Sequence, residues 1–304
     1  MKKYHGCGNS FIITKYDKKY ENLKFIKDIC KDVDGFMMVK TNPLEMVLYN
    51  KDTTIAPMCG NGMRCFIHYC YDHNLLESDE NIVKTPSGNI YTKIIKKDPI
   101  QVYIGLNEEY YTYIDNKEYT NVPYVINDTT YKISLVNSGV WHGIIIPDDF
   151  EKALKDMVIL REYPEFQEWL NIDIVKITDQ EVFVKTYERG VGYTKACGTG
   201  VAATYQILKK LGIINDESVE ITTEGGKIIA GKNNTGPFII GPSVYEKDIY
   251  LGNIDELLEH YKNNAWFFMG LSINNYNFCN RNNTYNKTKR ASNNKVKRSL
   301  FYFI

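Results

Sequence analysis

The 304-residue sequence lacks several features that mark particular classes of protein. No apolar run is long enough to span a membrane. No two cysteines form a Cys-X-X-Cys pair, which argues against a zinc site. The opening Met-Lys-Lys leads directly into polar, glycine-containing sequence, which is unlike a secretory signal peptide. These absences predict a cytoplasmic protein that has free thiols and neither binds a metal nor enters a membrane.

Acidic residues are absent from Tyr261 to the end of the chain, whereas the same stretch carries eight lysines and arginines. The whole chain has 37 basic and 37 acidic residues, so the remainder has 29 basic against 37 acidic ones. A basic tail can indicate nucleic-acid binding. This one is rich in asparagine and has no helical or strand periodicity, which favours a disordered appendage without a nucleic-acid partner. We therefore assign residues 262–304 to a tail.

The length of the chain and its 43% hydrophobic content allow two domains, each with its own core. A short cysteine motif occurs twice, 138 residues apart, at Cys59 and Cys197. Such a repeat favours two similar halves. We predict an N-terminal half at residues 1–118 and a C-terminal half at residues 119–261.

Periodicity and turn residues predict helices and strands in both halves. Helices are expected at 22–30, 60–74, 150–160, 198–211 and 253–261. Strands are expected up to 14 after a glycine turn, and at 36–39, 45–50, 83–97 (a hairpin), 101–106, 172–177, 181–187, 219–223, 227–230 and 238–245. Residues 132–146 predict a strand, a turn that contains His142, and a second strand. The acidic, tyrosine-rich residues 107–123 are interpreted as the crossover between the halves.

Each copy of the repeated motif reads Cys-Gly-X-Gly and opens an amphipathic helix. The first copy is Cys59-Gly60-Asn61-Gly62, and the second is Cys197-Gly198-Thr199-Gly200. Apolar residues follow at helical spacing: Met63, Phe66, Ile67 and Cys70 in the first copy, and Val201, Tyr205, Leu208 and Leu211 in the second. Gly212 then follows, and glycine is common just after the C-terminus of a helix.

The position of these cysteines suggests a chemistry. A helix N-terminus presents unpaired amides and a partial positive charge, so it binds carboxylates and lowers the pKa of a thiol. Two such ends facing each other would hold a carboxylate between two reactive thiols. This arrangement suits an enzyme that inverts a carbon centre without a cofactor, with a base on one face and an acid on the other. The alternative is that both are structural cysteines at glycine turns. That alternative explains a single copy as well as catalysis does, but it explains two copies poorly.

Four further residues are candidates for ligand contact. Glu188 and Arg189 precede the second motif, where buried charges would clamp the ammonium and carboxylate of an amino acid. A solvated ion pair is the alternative for these two residues, and their place before a glycine-rich loop and a reactive cysteine favours the clamp. Asn9 lies beside two glycines and can present its amide to a ligand, although an ordinary turn asparagine fits the same pattern. His142 alone is as consistent with a plain hydrogen-bonded histidine.

Four blocks together resemble the signature sequences of the diaminopimelate epimerase family. They are His5-Gly6-Cys7-Gly8-Asn9-Ser10-Phe11, Met58-Cys59-Gly60-Asn61-Gly62-Met63-Arg64-Cys65-Phe66, Tyr187-Glu188-Arg189-Gly190-Val191-Gly192 and Ala196-Cys197-Gly198-Thr199-Gly200. The resemblance covers about residues 3 to 250. It implies an α/β fold of two pseudo-symmetric halves, each a curled mixed β-sheet around a central α-helix, with the site in the cleft between them.

The resemblance also implies roles for individual residues. Cys59 and Cys197 match the two acid/base thiols, and the amides of Gly60, Asn61, Gly198 and Thr199 match those that hold the reacting carboxylate. His142 matches a histidine that, with Glu188, tunes a thiol. The remaining matches are to substrate-binding positions, the last of them chiefly at the far, non-reacting end: Asn9, Asn50, Asn171, Glu188 and Arg189.

Two segments depart from the family pattern. The Gly-Asn-Pro-His turn of the family is Gly139-Val140-Trp141-His142 here, so an asparagine for the far end of the substrate is missing at Val140. A glycine-rich loop of the family is shortened to residues 31–35, which changes one rim of the predicted pocket. The stretch after Tyr250 has no counterpart in the family pattern.

The sequence therefore predicts an isomerase that interconverts LL- and meso-2,6-diaminopimelate, a step of lysine and peptidoglycan precursor synthesis, without a cofactor. Its expected partner is a small amino-acid substrate, and a homodimer is possible. A related racemase for another amino acid is the first alternative. An amino-acid-binding homologue without activity is the second, although binding alone requires neither thiol.

Overall fold

The structure is a computed structural model that describes residues 1–106, 113–114, 117–160, 170–189, 191–252, 255–259 and 261. Residues Met1–Ile254 form one compact unit. A second unit is Asp255–Ile304, of which residues 255–259 are helical. The predicted tail at 262–304 lies outside the described residues, and the predicted half boundaries stay predictions. No helix in the described part of the chain is long and apolar enough to cross a membrane.

The first half of the main unit contains seven strands and two α-helices. They are β1 (Lys2–Gly6), β2 (Asn9–Lys15), α1 (Leu23–Ile29), β3 (Gly35–Thr41), β4 (Leu44–Asn50), α2 (Gly60–Asp72), β5 (Glu80–Thr85), β6 (Gly88–Lys97) and β7 (Ile100–Gly105), with a short 3₁₀ helix at Lys18–Tyr20. A two-stranded β8 (Tyr113–Ile114) and β9 (Lys117–Glu118) ribbon follows.

The second half repeats this order. It contains β10 (Val122–Ile126), β11 (Thr129–Asn137), β12 (Trp141–Ile145), α3 (Phe150–Leu160), β13 (Leu170–Ile177), β14 (Val182–Glu188), β15 (Gly192–Tyr193), α4 (Gly198–Lys210), β16 (Ser218–Thr223), β17 (Gly226–Asn233), β18 (Gly236–Pro242) and β19 (Val244–Asp248). The prediction of 238–245 as one strand is wrong, because the chain leaves β18 at Ser243 and β19 pairs elsewhere.

The strand pairings show the internal repeat directly. In the first half, β1 and β2 form a hairpin, β2 runs parallel to β3, β3 and β4 are antiparallel, and β4 runs parallel to β5. In the second half, β11, β12, β13, β14 and β16 are joined in the same sequence of antiparallel and parallel pairs. Each half then ends in a three-stranded meander. This mixed-sheet α/β repeat confirms the predicted fold class.

Strands of the two halves pair with each other. β7 and β18, the last strands of the two meanders, pair with each other and join the halves into one sheet. β19 follows the second half in the chain but pairs with β1 of the first half. β10, the first strand of the second half, pairs with β11 of the same half. The first half is thus extended by β19 of the second half, whereas the second half is extended by its own β10.

The helices α2 and α4 carry the apolar faces that the sequence predicts. Met63, Phe66, Ile67 and Cys70 of α2 and Val201, Tyr205 and Leu208 of α4 are buried in one cluster with the neighbouring strands. Gly212, which follows the C-cap residue Leu211 of α4, has a φ of +69°, a backbone conformation that favours glycine at a helix end. α3 packs on the second half through Ala153, Met157 and Leu160.

His142 lies on strand β12, and its side chain is fully buried. Its predicted position in a turn is therefore wrong. The turn is shorter than expected and lies at residues 138–140, where Gly139 has a φ of +104°. Trp141 already pairs with Asn137, so the strand begins one residue earlier than the histidine.

Candidate active site

The first turns of α2 and α4 meet at two glycines. A Cβ added to Gly60 would lie 3.9 Å from the Cα of Gly198, and a Cβ added to Gly198 would lie 3.8 Å from the Cα of Gly60. Either Cβ would also come within 3.1 Å of Ile239 Cδ1. The missing side chains therefore let two helix N-termini approach each other closely. The residues immediately before them, Cys59 and Cys197, are the N-caps of the two helices.

Cys59 has polar neighbours on two sides. The amide of Gly62 donates a 3.3 Å hydrogen bond to Cys59 Sγ, and the thiol donates to Asn9 Oδ1 at 3.7 Å. Burial raises the pKa of this thiol, the negative charge of Glu188 adds to the increase, and the Gly62 amide and the Arg64 cation oppose it. Asn9, at the start of β2, thus reaches the site as predicted.

Cys197 lies deeper, with 8% of its surface exposed. Its Sγ lies 3.3 Å from the hydroxyl oxygen of Thr199. Burial holds the pKa of the Cys197 thiol well above its ordinary value, and the acidic Glu188 and Asp173 add to the effect. The expectation that a helix N-terminus lowers the pKa of both thiols is wrong in this structure, because desolvation outweighs the favourable amides.

A buried polar chain stands behind Cys197. His142 Nδ1 lies 2.5 Å from Asp173 Oδ2, and His142 Nε2 lies 3.0 Å from the hydroxyl oxygen of Thr199. Thr186 donates a 2.6 Å hydrogen bond to the other oxygen of Asp173. His142 and Asp173 are both 0% exposed. The histidine thus contacts the Cys197 thiol through one intervening hydroxyl group.

Glu188, at the end of β14, lies against the thiols. Its Oε1 accepts a 2.6 Å hydrogen bond from the Thr194 hydroxyl, and its negative charge raises the pKa of both Cys59 and Cys197. Burial raises the pKa of the Glu188 carboxyl. This position places Glu188 next to Cys197, where it can exchange a proton with that thiol.

Asn61 and Arg64 tie the two motifs together. Asn61 Nδ2 donates a 2.9 Å hydrogen bond to the carbonyl oxygen of Ala196, the residue before Cys197. Arg64 donates to Asn61 Oδ1 at 2.7 Å, to the carbonyl oxygen of Pro242 at 3.0 Å and to Cys7 Sγ at 3.4 Å. Its side chain is fully buried, and within the described residues its Nη1 has no hydrogen-bond partner. The guanidinium is thus a fixed buried cation below the first thiol.

A cleft of about 1120 Å³ opens above the two cysteines. Nine of the predicted site residues line it: Asn9, Asn50, Cys59, Gly60, Asn61, Glu188, Arg189, Cys197 and Gly198. The other three, Asn171, His142 and Thr199, are not among the residues that line it. A separate cavity of about 680 Å³ near Ile177 and Lys227 contains none of the predicted residues.

Arg189 and Asn50 are exposed and lie at the rim of the cleft. Asn171 accepts a 2.8 Å hydrogen bond from the backbone amide of Arg189. Its side chain therefore positions the main chain of Arg189. Asn50 donates to the hydroxyl of Thr54 at 3.0 Å. Arg189 is exposed, and the expectation that its charge is buried is therefore wrong.

The shortened loop at 31–35 is held by the turn it faces. Asp34 accepts hydrogen bonds from the backbone amide of Ser10 at 2.7 Å and from its hydroxyl at 3.2 Å. Lys51 donates to the carbonyl oxygen of Lys31 at 2.8 Å. Asp34, Lys51 and Ser10 all line the cleft, so this rim carries charges of both signs.

Asp173 and Arg64 are site residues that the sequence analysis missed. A signal for Asp173 exists, because a single acid interrupts the apolar strand residues Ile172, Ile174 and Val175. Arg64 similarly interrupts the buried face of α2.

No group of three or more His, Cys, Asp or Glu residues suited to a metal occurs in the part of the chain that the structure describes.

Solved structures with the same fold include proteins of several activities. A PhzF-family phenazine biosynthesis protein from Bacillus anthracis aligns with a TM-score of 0.64 and 12% identity, over 83% of this chain and 98% of its own. A hydroxyproline epimerase from Agrobacterium vitis aligns with a TM-score of 0.59 and 11% identity, over 81% of this chain and 90% of its own. At such low identity, these likenesses define the class by fold alone.

Sequence comparisons give the particular family. The diaminopimelate epimerase family model matches residues 1–108 and 134–245. A diaminopimelate epimerase of Alkaliphilus metalliredigens is 32% identical over 250 residues, which cover 75% of this chain and 88% of the relative. One from Caldanaerobacter subterraneus is 28% identical over 272 residues, covering 83% of this chain and 98% of the relative. The chain belongs to the diaminopimelate epimerase family.

Proposed function

We propose that the protein interconverts LL- and meso-2,6-diaminopimelate with two cysteines and no cofactor. The observation that carries this proposal is the facing of two Cys-Gly helix starts across the Gly60–Gly198 contact. Family membership supports the substrate, because the relatives of similar length bear this name. The structure adds the two thiols in one cleft.

In the proposed reaction, one cysteine as a thiolate removes the α-proton of the substrate. The opposite thiol delivers a proton to the other face, so the centre is inverted and the charge on the two sulfurs is exchanged. The amides of Gly60, Asn61, Gly198 and Thr199 would hold the α-carboxylate, which gains negative charge as the proton leaves. Preorganised amides at two helix N-termini stabilise that charge more in the transition state than in the ground state.

The high pKa of both thiols bears on this mechanism. A thiol that stays protonated suits the donor role, whereas the base needs a group to take its proton. Glu188 lies close enough to Cys197 to raise the pKa of that thiol, and its own raised pKa makes it a better proton acceptor than an exposed carboxylate. Recognition of the far amino-acid end then falls to groups at the rim, chiefly Arg189 and Asn50.

A racemase for another amino acid remains the second candidate, because two specific features alter the pocket. Val140 stands where the family pattern has an asparagine, and it is 39% exposed. Asp34 and Lys51 build a rim that the longer family loop would build differently. Both positions affect which side chain fits and leave the chemistry at the thiols unchanged.

The experiment that separates these candidates follows α-proton exchange in deuterated water. Purified protein is incubated with LL-diaminopimelate, with L-proline and with a panel of other L-amino acids, and exchange is followed by NMR. We expect rapid exchange with diaminopimelate alone. Faster exchange with a mono-amino acid would favour the racemase, and no exchange with any of them would favour the binding homologue.

We also propose that the protein works in the cytoplasm as a homodimer. All six described cysteines are free thiols, which supports a reducing compartment. Light scattering coupled to size-exclusion chromatography tests the dimer, and a monomer mass at micromolar concentration would contradict it.

A further inference from the structure

We propose that Thr199, His142 and Asp173 form a proton relay that takes the thiol proton from Cys197. The use of this relay in catalysis rests on the proposed function, whereas the relay itself is inferred from the contacts of these side chains. Three consecutive contacts of 3.3, 3.0 and 2.5 Å lead from the sulfur to the carboxylate. The side-chain hydroxyl of Thr199 and the carboxylate of Asp173 thus gain positioning roles.

The direction of the relay follows from the hydrogen-bond capacity of each group. An ionised carboxylate only accepts, so Asp173 places the imidazole proton on Nδ1 of His142 and leaves Nε2 as an acceptor. Thr186 donates to the second oxygen of Asp173, which fixes the carboxylate as an acceptor on both sides. The hydroxyl of Thr199 then donates to Nε2, and its oxygen lone pairs face the Cys197 thiol.

The proton balance closes within these four side chains. The S–H bond of Cys197 breaks as its proton passes to the oxygen of Thr199. Thr199 passes its own hydroxyl proton to Nε2 of His142. The products are a thiolate at Cys197 and an imidazolium that is paired with Asp173. The total charge is unchanged, and no other reactant is needed.

Burial makes the carboxylate necessary. His142 and Asp173 are fully buried, so water cannot stabilise an imidazolium there. The carboxylate at 2.5 Å supplies that stabilisation and holds the ring in one tautomer. The space is also closed, because a Cβ at Gly200 would collide with Asp173 Oδ1. Glycine at this position of the motif therefore leaves room for the acid behind the histidine.

Glu188 is the competing proton acceptor, because its carboxylate also lies near Cys197 and raises the pKa of that thiol. Substitution of Thr199 separates the two routes. Thr199→Val keeps the shape of the side chain and the backbone amide, removes the hydroxyl, and leaves Glu188 in place. Thr199→Ser keeps the hydroxyl and is the matched control.

The readout is the rate at which iodoacetamide alkylates Cys197 at neutral pH, measured by peptide mass spectrometry without substrate. Cys59 in the same sample is the internal reference. We expect Thr199→Val to slow alkylation of Cys197 by about tenfold or more, with Cys59 unchanged and Thr199→Ser close to the wild type. Equal alkylation rates in the Val and Ser variants would overturn the relay.

Asp173→Asn gives a second test in which two explanations differ in sign. If Asp173 acted only as a nearby negative charge, its removal would favour the thiolate and speed alkylation of Cys197. The relay predicts slower alkylation and a lower kcat at nearly unchanged KM, because the imidazolium loses its partner. Faster alkylation would therefore refute it.

Asp156→Asn is the control for burial, since Asp156 is also a buried, hydrogen-bonded acid of the second half but lies in α3. If Asp173→Asn does not fold, the two Thr199 variants decide the question. Because alkylation needs no substrate, the relay can hold even if diaminopimelate proves not to be the substrate. Conversely, the substrate assignment can hold without the relay.

Discussion

The side chain of Asn61 donates a 2.9 Å hydrogen bond to the carbonyl oxygen of Ala196, and this bond joins the first turn of α2 to the residue before Cys197. The same amide accepts a 2.7 Å hydrogen bond from the buried Arg64. Because both bonds are buried, Asn61, itself held by the Arg64 cation, helps to fix the relative position of the two cysteines.

We predict that Asn61→Ala lowers kcat/KM at least about tenfold and destabilises the protein by about 1–3 kcal/mol, because a buried carbonyl and a guanidinium lose their partner. Steady-state kinetics and urea unfolding measure the two effects. Asn81→Ala removes a similar amide-to-carbonyl bond, at an exposed site remote from the cleft, and is the control. Wild-type kinetics in Asn61→Ala would show that the bond does not position the thiols.

Each of the two helix-start cysteines is expected to be essential. Cys59→Ala and Cys197→Ala should each lower epimerisation by about 10²–10⁴-fold or more, because one of the two proton-transfer groups is lost. Cys70→Ala is the control, since Cys70 is fully buried on α2 and remote from the cleft lining. Near wild-type turnover in either active-site variant would contradict a mechanism with two thiols.

Much of the fold could be predicted because its signals are local. The apolar spacing after Cys59 and Cys197 and the glycine ending at Gly212 each mark a helix by short-range chemistry. The helix expected at 22–30 is α1, whose first amides, those of Lys24 and Phe25, donate hydrogen bonds to Asn22. The pairing of β19 with β1 could not be predicted in this way, because it joins residues at opposite ends of the unit and leaves no local pattern.

The candidate site shows the same division. The cysteines and glycines could be identified because the motif occurs twice, and the structure brings both copies into one cleft. The roles of Asp173 and Arg64 depend on which strands lie behind the helices, which the sequence alone does not reveal. The pKa of each thiol also depends on burial, and a helix-terminus argument alone therefore gave the wrong direction.

Arg189 is expected to affect substrate affinity more than turnover. Its side chain is exposed at the rim of the cleft, where the far carboxylate of diaminopimelate would lie in the proposed complex. We predict that Arg189→Met lowers kcat/KM by about one to two orders of magnitude, mainly through KM. Arg189→Lys keeps the charge but loses the planar fork, so an intermediate loss is expected. A fall in kcat with unchanged KM would place Arg189 closer to the reacting carbon.

Oxidation should link the two active-site cysteines. The glycines that follow them are in near contact, so a small movement of the first helical turns would bring Cys59 and Cys197 within disulfide distance. We expect mild oxidation to abolish activity, dithiothreitol to restore it, and peptide mapping to find this pair. Cys59→Ser protein cannot form the bond and is the control. A different pairing that accompanies the lost activity would contradict the prediction.

Alkaline conditions should destabilise the fold through cysteines that take no part in the reaction. Burial raises the pKa of Cys65 from its ordinary value of 9.0 to about 12, and that of Cys30 to about 11. Between the unfolded and folded pKa values the folded state binds more protons, so stability falls as the pH rises above about 9 and is unaffected below about 8. At pH 10 each thiol should cost about 1 kcal/mol of unfolding free energy.

Urea unfolding of the wild type and of Cys65→Ala measures the effect. The series runs from about pH 7.5, where no change is expected, to about pH 10.5. The variant loses one buried thiol, so its stability should decline less steeply with pH, whatever its stability at neutral pH. Cys59 is unsuitable for this comparison because its thiol is coupled to Glu188 and Arg64. Parallel pH dependences of the two proteins would show that Cys65 ionises as readily in the fold as in the unfolded chain.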